Sequence, residues 1–293
     1  MASGLTRRSA ILATLIGGTA LLSATRRGTA DDAEARIVEL EAKRGGRLGV
    51  AVLDTATGRS ILHRADDRFA LCSTFKLLAA ALVLRRVDKG EEQLDRRIVY
   101  PVSDLVTYSP ETEKHAGPEG GMTIAAICAA ALNLSDNTAG NILLASFGGP
   151  PALTAFARSL GDNVTRLDRM ETALNEARPG DPRDTTSPSA MSADIHRILL
   201  GDALSPASRQ QMIAWLLANK TGGKRLRAGL PPDWRVGDKT GSGNNGATND
   251  VAILWPPGRA PILAAVYFAE SQADAEARNG VIAEVGRIVA GNF

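Results

Sequence analysis

From residue 75 to residue 84 every position is apolar except Lys76, a pattern that predicts a helix buried on all sides rather than one with a solvated face. A single ammonium inside such a helix needs anionic or hydrogen-bonding partners, because an unpaired buried charge costs several kcal/mol. Upstream, residues 31–44 begin with acids, end with bases and stop at Gly45-Gly46, the charge order of a capped helix. Apolar stretches at 48–54 and 60–63, joined by Thr55-Ala56-Thr57-Gly58, read as a β-hairpin.

Helical patterning then dominates. Thr123 is placed to cap a helix reaching 132, and further helices are predicted over 138–147, 152–160, 192–200 and 205–219. Between them, residues 166–188 are polar and aperiodic, with Pro179-Gly180 and Pro182. A loop of that length inside a compact domain is usually functional or disordered. Beyond 219 the pattern returns to strands at 234–239, 250–255 and 262–269, closed by a helix over 273–290. Strands and helices at both ends with helices between them predict an α+β fold. Its antiparallel sheet, flanked by helices, is built from both chain termini and carries an inserted all-helical domain. Residues 31–66 and 217–293 would form a discontinuous α/β domain, and 67–216 the helical domain with the long loop.

Composition narrows the field by exclusion. The 293 residues are 44% hydrophobic and 23% charged, with a net charge of +2 and interspersed signs. That is ordinary globular material with no basic face for nucleic acid. The first 30 residues lack Asp and Glu, carry Arg7-Arg8, and continue into an apolar run over 10–22 that is too short for a bilayer span. They read as a signal peptide ending near Gly28-Thr29-Ala30. The arginine pair and the glycines in the run favour twin-arginine export, which would place the mature chain in the periplasm or outside the cell. Two cysteines, Cys72 and Cys128, do not make a disulfide scaffold. The three histidines are scattered singly, no ligand spacing for a metal is visible, and neither metal nor cofactor is expected.

Ser73 lies three residues before Lys76, a spacing that brings both side chains to one helical face. A lysine there can serve as the base that activates the hydroxyl, and a helix N-terminus offers N–H groups to an oxyanion. Three further motifs follow in order: Ser135-Asp136-Asn137, Glu171-x-x-x-Asn175 and Lys239-Thr240-Gly241. A second Lys-Thr-Gly, at Lys220, ends a predicted helix, and its glycines look like a C-cap. Lys239 instead ends an extended segment and is followed by Ser242-Gly243. A sheet edge beside a nucleophile can receive an acyl substrate as an added strand. The site is therefore assigned to Lys239, with Lys220 left as solvated surface.

The ordered set resembles the class A serine β-lactamases, and the order of helices, strands and loop resembles that family over essentially the whole mature chain. The resemblance implies hydrolysis of the β-lactam ring of penicillins and cephalosporins through an acyl-serine intermediate, conferring antibiotic resistance, with a small-molecule β-lactam as partner and a monomeric enzyme. It implies that Ser73 is the nucleophile, that Lys76 and Glu171 share the general-base work, and that Ser135 relays a proton to the leaving nitrogen. Backbone N–H groups of Ser73 and Ser242 would hold the oxyanion. Asn137 would hold Lys76 and the substrate amide, and Asn175 would share a water with Glu171. Lys239, Thr240, Ser242 and Arg225 would grip the substrate carboxylate, Tyr108 would wall the entrance, and Arg169 with Asp184 would clasp the loop neck. Arg225 could instead be a surface arginine in a basic stretch.

Two departures stand out. Family members that bridge the buried helix to the helix before Ser-Asp-Asn have a cysteine where this chain has Ala80, leaving Cys128 without a partner. Relatives that bridge the residue before the nucleophile to one after Lys-Thr-Gly have a cysteine where this chain has Gly243, leaving Cys72 alone. Both thiols are expected free. The rival readings are a penicillin-binding D-alanyl-D-alanine peptidase and a non-enzymatic β-lactam sensor. Both lack a Glu-x-x-x-Asn pair placed to activate a deacylating water.

Overall fold

The computed structural model describes Met1 and residues 30–293; the leader with its Arg7-Arg8 pair lies outside the described residues. Helix α1 (Ala30–Arg44) opens with Asp31 and Asp32, ends with Lys43 and Arg44, and buries Ala33, Ile37 and Leu40. Strands β1 (Arg47–Asp54) and β2 (Ser60–His63) form the expected antiparallel hairpin, with Val50 opposite His63. After β3 (Phe69–Ala70) a 3₁₀ turn, Cys72–Thr74, leads into α2 (Phe75–Asp88). Next come β4 (Arg97–Ile98), β5 (Met122–Thr123), α3 (Ile124–Asn133), α4 (Asn137–Ser146) and α5 (Gly149–Ser159). The long loop ends at β6 (Thr185–Thr186), followed by α6 (Pro188–Leu199), α7 (Pro206–Leu217) and the short α8 (Leu226–Gly229). Strands β7 (Arg235–Ser242), β8 (Thr248–Trp255) and β9 (Ile262–Ala269) lead to the closing helix α9 (Ala275–Asn292).

The main sheet has the order β2-β1-β9-β8-β7, antiparallel throughout. The two ends of the chain meet at its centre, where Val50 of β1 lies opposite Val266 of β9. Successive side chains of a strand point to opposite faces, and β9 shows both faces in use. Ile262, Ala264, Val266 and Phe268 join Ile37 and Val285 in one core, while Leu263, Ala265 and Tyr267 join Leu78 and Ile195 in the other. A sheet covered on both sides reads as a near-continuous apolar run, as 262–269 does.

Side-chain caps start the helices where polar residues precede the apolar pattern: Thr123, Asp136, Ser205 and Asp274 each accept from a backbone N–H of the first turn. Several boundaries differ from the sequence-based expectation, and three of the differences have a clear structural cause or bear on the site. Helix α6 begins at Pro188 rather than 192, because Ser187 caps it and Pro188 occupies the first turn, where a missing N–H costs nothing. Strand β7 continues past Lys239 to Ser242, since its pairing with β8 runs on to Ser242 opposite Thr248. Ser73 lies on the 3₁₀ turn rather than in the helix proper.

Candidate active site

The turn before α2 places the candidate nucleophile. Cys72 adopts a left-handed backbone, φ 44°, which an L-residue rarely does. The helix that follows carries Lys76 fully buried, with its Nζ 2.9 Å from Ser73 Oγ. The expected compensation for that charge is present. Nζ also donates to Ser135 O at 2.8 Å and Asn137 Oδ1 at 2.7 Å, and lies 2.9 Å from Glu171 Oε1. Burial pulls the amine below its ordinary pKa, while the Glu171 carboxylate acts in the opposite direction. Close packing is built in at Gly140 on α4, where an added Cβ would sit 2.8 Å from Lys76 Cε.

Ser135, Asp136 and Asn137 form the turn into α4. Asp136 is buried, and its carboxylate accepts from Ala139 N, from Glu111 N, and from both the N–H and hydroxyl of Thr112. That network sets the turn and leaves its neighbours free for the cleft. Ser135 takes a left-handed φ of 60°. Asn137 turns Oδ1 to Lys76 and donates Nδ2 to Thr107 O at 2.8 Å.

The long loop is fastened as expected, with Arg169 Nε 2.6 Å from Asp184 Oδ2. Asp184 is fully buried and also accepts from the backbone N–H groups of Asp168 and Arg169. Sequence reading missed Glu176, which takes the other end of Arg169 at 2.6 Å, and Asn141, whose amide grips the Glu171 backbone. Glu171 itself is buried. Its Oε1 lies 3.3 Å from Ser73 Oγ, and its Oε2 accepts from Asn175 Nδ2 at 2.5 Å. Asn175 Oδ1 is buried without a hydrogen-bond partner among the described residues.

Strand β7 closes the other side. Lys239 is fully buried, with Nζ 3.0 Å from Ser135 Oγ and 2.7 Å from Thr240 O. Burial, reinforced by the nearby Lys76 charge, holds its amine well below the ordinary lysine range. Arg225 is no surface arginine: it is 9% exposed and donates to Gly241 O at 2.7 Å, Asn249 O at 2.6 Å and Ser242 Oγ at 2.6 Å. A cleft of 330 Å³ takes in Ser73, Ser135, Thr240 and Ser242, walled by Tyr108 and Asn175. Tyr108 is 57% exposed.

The second Lys-Thr-Gly is only partly surface. Lys220 is exposed as expected, but Thr221 lines the cleft and its Oγ1 meets Thr240 Oγ1 at 2.5 Å. Gly222 is required by packing rather than capping, since its Cβ would fall 1.8 Å from Asp238 Oδ2. Cys72 and Cys128 are both free and buried. Burial pushes the Cys72 thiol up to about 12 and raises that of Cys128 as well.

A family model described as the beta-lactamase enzyme family matches residues 32–293, which takes in every residue of this constellation. The chain belongs to the class A β-lactamases. Among curated relatives, Beta-lactamase CTX-M-8 of Citrobacter amalonaticus is 47% identical over 98% of both chains. Beta-lactamase AST-1 of Nocardia asteroides is 52% identical over 88% of this chain and 82% of its own. A solved ancestral (GNCA) class A β-lactamase is 67% identical, with a TM-score of 0.88, covering 89% of this chain and all of that one. A class A β-lactamase hydrolyses the β-lactam ring through an acyl-serine intermediate, and that is the activity of this chain. Among the described residues no helix is long and apolar enough to cross a membrane.

Proposed function

We propose that Ser73 opens the β-lactam ring and that the ester it forms is cleared by water activated at Glu171. The observation that carries this reading is the position of Lys76 Nζ, 2.9 Å from both Ser73 Oγ and Glu171 Oε1. As an ammonium, whichever three of its four neighbouring oxygens it donates to, Lys76 has no lone pair to receive a proton, and the serine proton has Glu171 Oε1, at 3.3 Å, as its acceptor. Burial lowers the cost of removing a proton from Lys76, so amine and carboxylate can trade one proton between them. Ser135, hydrogen-bonded to Lys239, is placed to pass a proton to the departing ring nitrogen. Lys239, Thr240, Ser242 and Arg225 supply cation and hydroxyl donors for the substrate carboxylate. Backbone N–H groups of Ser73 and Ser242 receive the oxyanion, Asn137 the side-chain amide, and Tyr108 the outer face of the ligand.

Deacylation separates this reading from a peptidase or a sensor. It needs a carboxylate beside the ester and a polar partner that fixes the attacking water. Glu171 Oε2 and the unpaired Oδ1 of Asn175 supply both. Multiple turnover of a chromogenic cephalosporin by residues 31–293 tests the assignment; a single stoichiometric burst with no further turnover would overturn it.

The same reading takes residues 67–216 as a helical domain inserted between 31–66 and 217–293. It takes the chain as a monomer, exported through a twin-arginine leader over 1–30. Replacing Arg7 and Arg8 by Lys should leave precursor in the cytoplasm, and normal export of that variant would point to the general secretory route.

A further inference from the structure

The hydroxyls of Thr221 and Thr240 lie 2.5 Å apart, and their proton order follows from what surrounds them. Asn219 is fixed first: its Nδ2 donates to Asp238 Oδ2 at 2.9 Å, which commits its Oδ1 as an acceptor. Asp238 is itself pinned by Arg227, whose Nε lies 2.7 Å from Oδ1. Asn219 Oδ1 then receives both the backbone N–H of Thr221, at 2.9 Å, and its hydroxyl, at 2.8 Å. A hydroxyl has one proton. With Thr221 donating to Asn219, the contact between the threonines is made by the proton of Thr240, and Thr240 shows the cleft only lone pairs.

That order is wrong for an anion. A carboxylate needs the Thr240 proton, and Thr240 can release it only if Thr221 rotates its own proton from Asn219 to Thr240. The rotation leaves no group stranded, because Asn219 Oδ1 keeps the backbone N–H of Thr221. We propose that Thr221 is a positioning residue for the substrate carboxylate, its hydroxyl being the rotor that turns the Thr240 proton toward the ligand. The proposal rests on the assignment of Thr240 and its neighbours to the carboxylate, and it extends that assignment to a residue outside the Lys239-Thr240-Gly241 motif.

The rotor matters most when the cleft is filled. In the open cleft solvent can satisfy Thr240 whatever stands at 221. Under a bound ligand the acceptor side of Thr240 depends on the Thr221 donor, and an unmet buried polar atom weakens binding.

The experiment compares a penicillin with its methyl ester on wild type, Thr221→Val and Thr221→Ser. The valine keeps the shape and removes the hydroxyl, and the serine restores it. Expected for Thr221→Val is a KM for the free acid raised about five- to tenfold with kcat within about twofold, no change for the ester, and wild-type behaviour in Thr221→Ser. A purely structural role for Thr221 would cost acid and ester alike. Equal losses on both substrates, an unchanged KM for the acid, or failure of Thr221→Ser to restore it would overturn the proposal. If wild type does not distinguish acid from ester, the carboxylate assignment of Thr240 fails first. If wild type distinguishes them and Thr221→Val does so equally well, only the rotor fails.

Discussion

One side-chain amide, that of Asn141, holds both backbone polar groups of Glu171: its Nδ2 donates to Glu171 O at 2.9 Å and its Oδ1 accepts from Glu171 N at 2.8 Å. Asn141 sits on α4, the helix that Asn137 opens. The rigid element that positions a contact to Lys76 therefore also positions the carboxylate facing it. Replacing Asn141 by Ala removes two hydrogen bonds and strands the backbone groups of a buried residue, a cost of about 1–3 kcal/mol. Thermal unfolding should register that loss. Because the loop contributes Glu171 and Asn175 to the second step, deacylation should slow more than acylation. Equal slowing of both steps, measured in stopped flow, would count against a specific role for this clamp.

Glu171→Ala should stall with penicillin attached to Ser73. Removing the carboxylate also removes the strongest influence holding the Lys76 proton in place. The buried amine then loses its proton more readily and can take that of Ser73, so acylation survives. Deacylation has no such substitute, and loss of a general base costs about a hundredfold to ten-thousandfold. Intact-mass measurement should find close to one adduct per chain. Wild-type turnover without an adduct would remove Glu171 from the second step.

Stability should carry a pH signature that comes from outside the cleft. Asp194 on α6 and Asp162, just beyond α5, are both buried, and Asp162 Oδ2 and both carboxyl oxygens of Asp194 meet no N–H or hydroxyl donor among the described residues, so a proton on Asp194 has the Asp162 carboxylate as its acceptor. Burial, then the Asp162 charge, push the Asp194 carboxyl up to about 9, with Arg158 and Arg197 opposing the shift. An unfolded aspartate titrates near 3.9. Between those values the folded state binds a proton that the unfolded state does not, so stability falls as pH rises through the window and levels off above it. The slope from this group is at most about 1.4 kcal/mol per pH unit. Asp194→Asn should flatten it, with the urea midpoint of the variant gaining on wild type between pH 6 and pH 8.5. Parallel pH dependences would refute the assignment.

The parts of the site visible in sequence were those whose chemistry is stated by residue type at short range. Ser73 and Lys76 are three apart where a turn leads into an otherwise apolar helix, and that spacing brings the two side chains to one face in the turn as it would in the helix. Lys239 could be separated from Lys220 because one follows a strand pattern and the other a helix. Hidden were contacts made by ordinary polar residues through tertiary packing. Asn141 lies four residues past Asn137 and marks the same helical face, a signal that was available. Thr221 carried no such mark, because its role depends on β7 running on to Ser242 and on Asp238 lying against Gly222. The left-handed φ values at Cys72, Tyr108 and Ser135 were equally invisible. None is a glycine, and only the surrounding fold makes such conformations tolerable.

The two unpaired cysteines bear on what holds this molecule together. No disulfide ties the described residues together: Cys72 and Cys128 are both free and buried, and at Gly243, where an added Cβ would meet Cys72 Sγ at 2.7 Å, the chain carries no second sulfur. With both sulfurs buried and held as thiols, neither offers the thiolate that exchange with a foreign disulfide requires. The cleft is therefore held by packing and hydrogen bonds without a covalent cross-link, and reductant removes no bond that the described fold depends on.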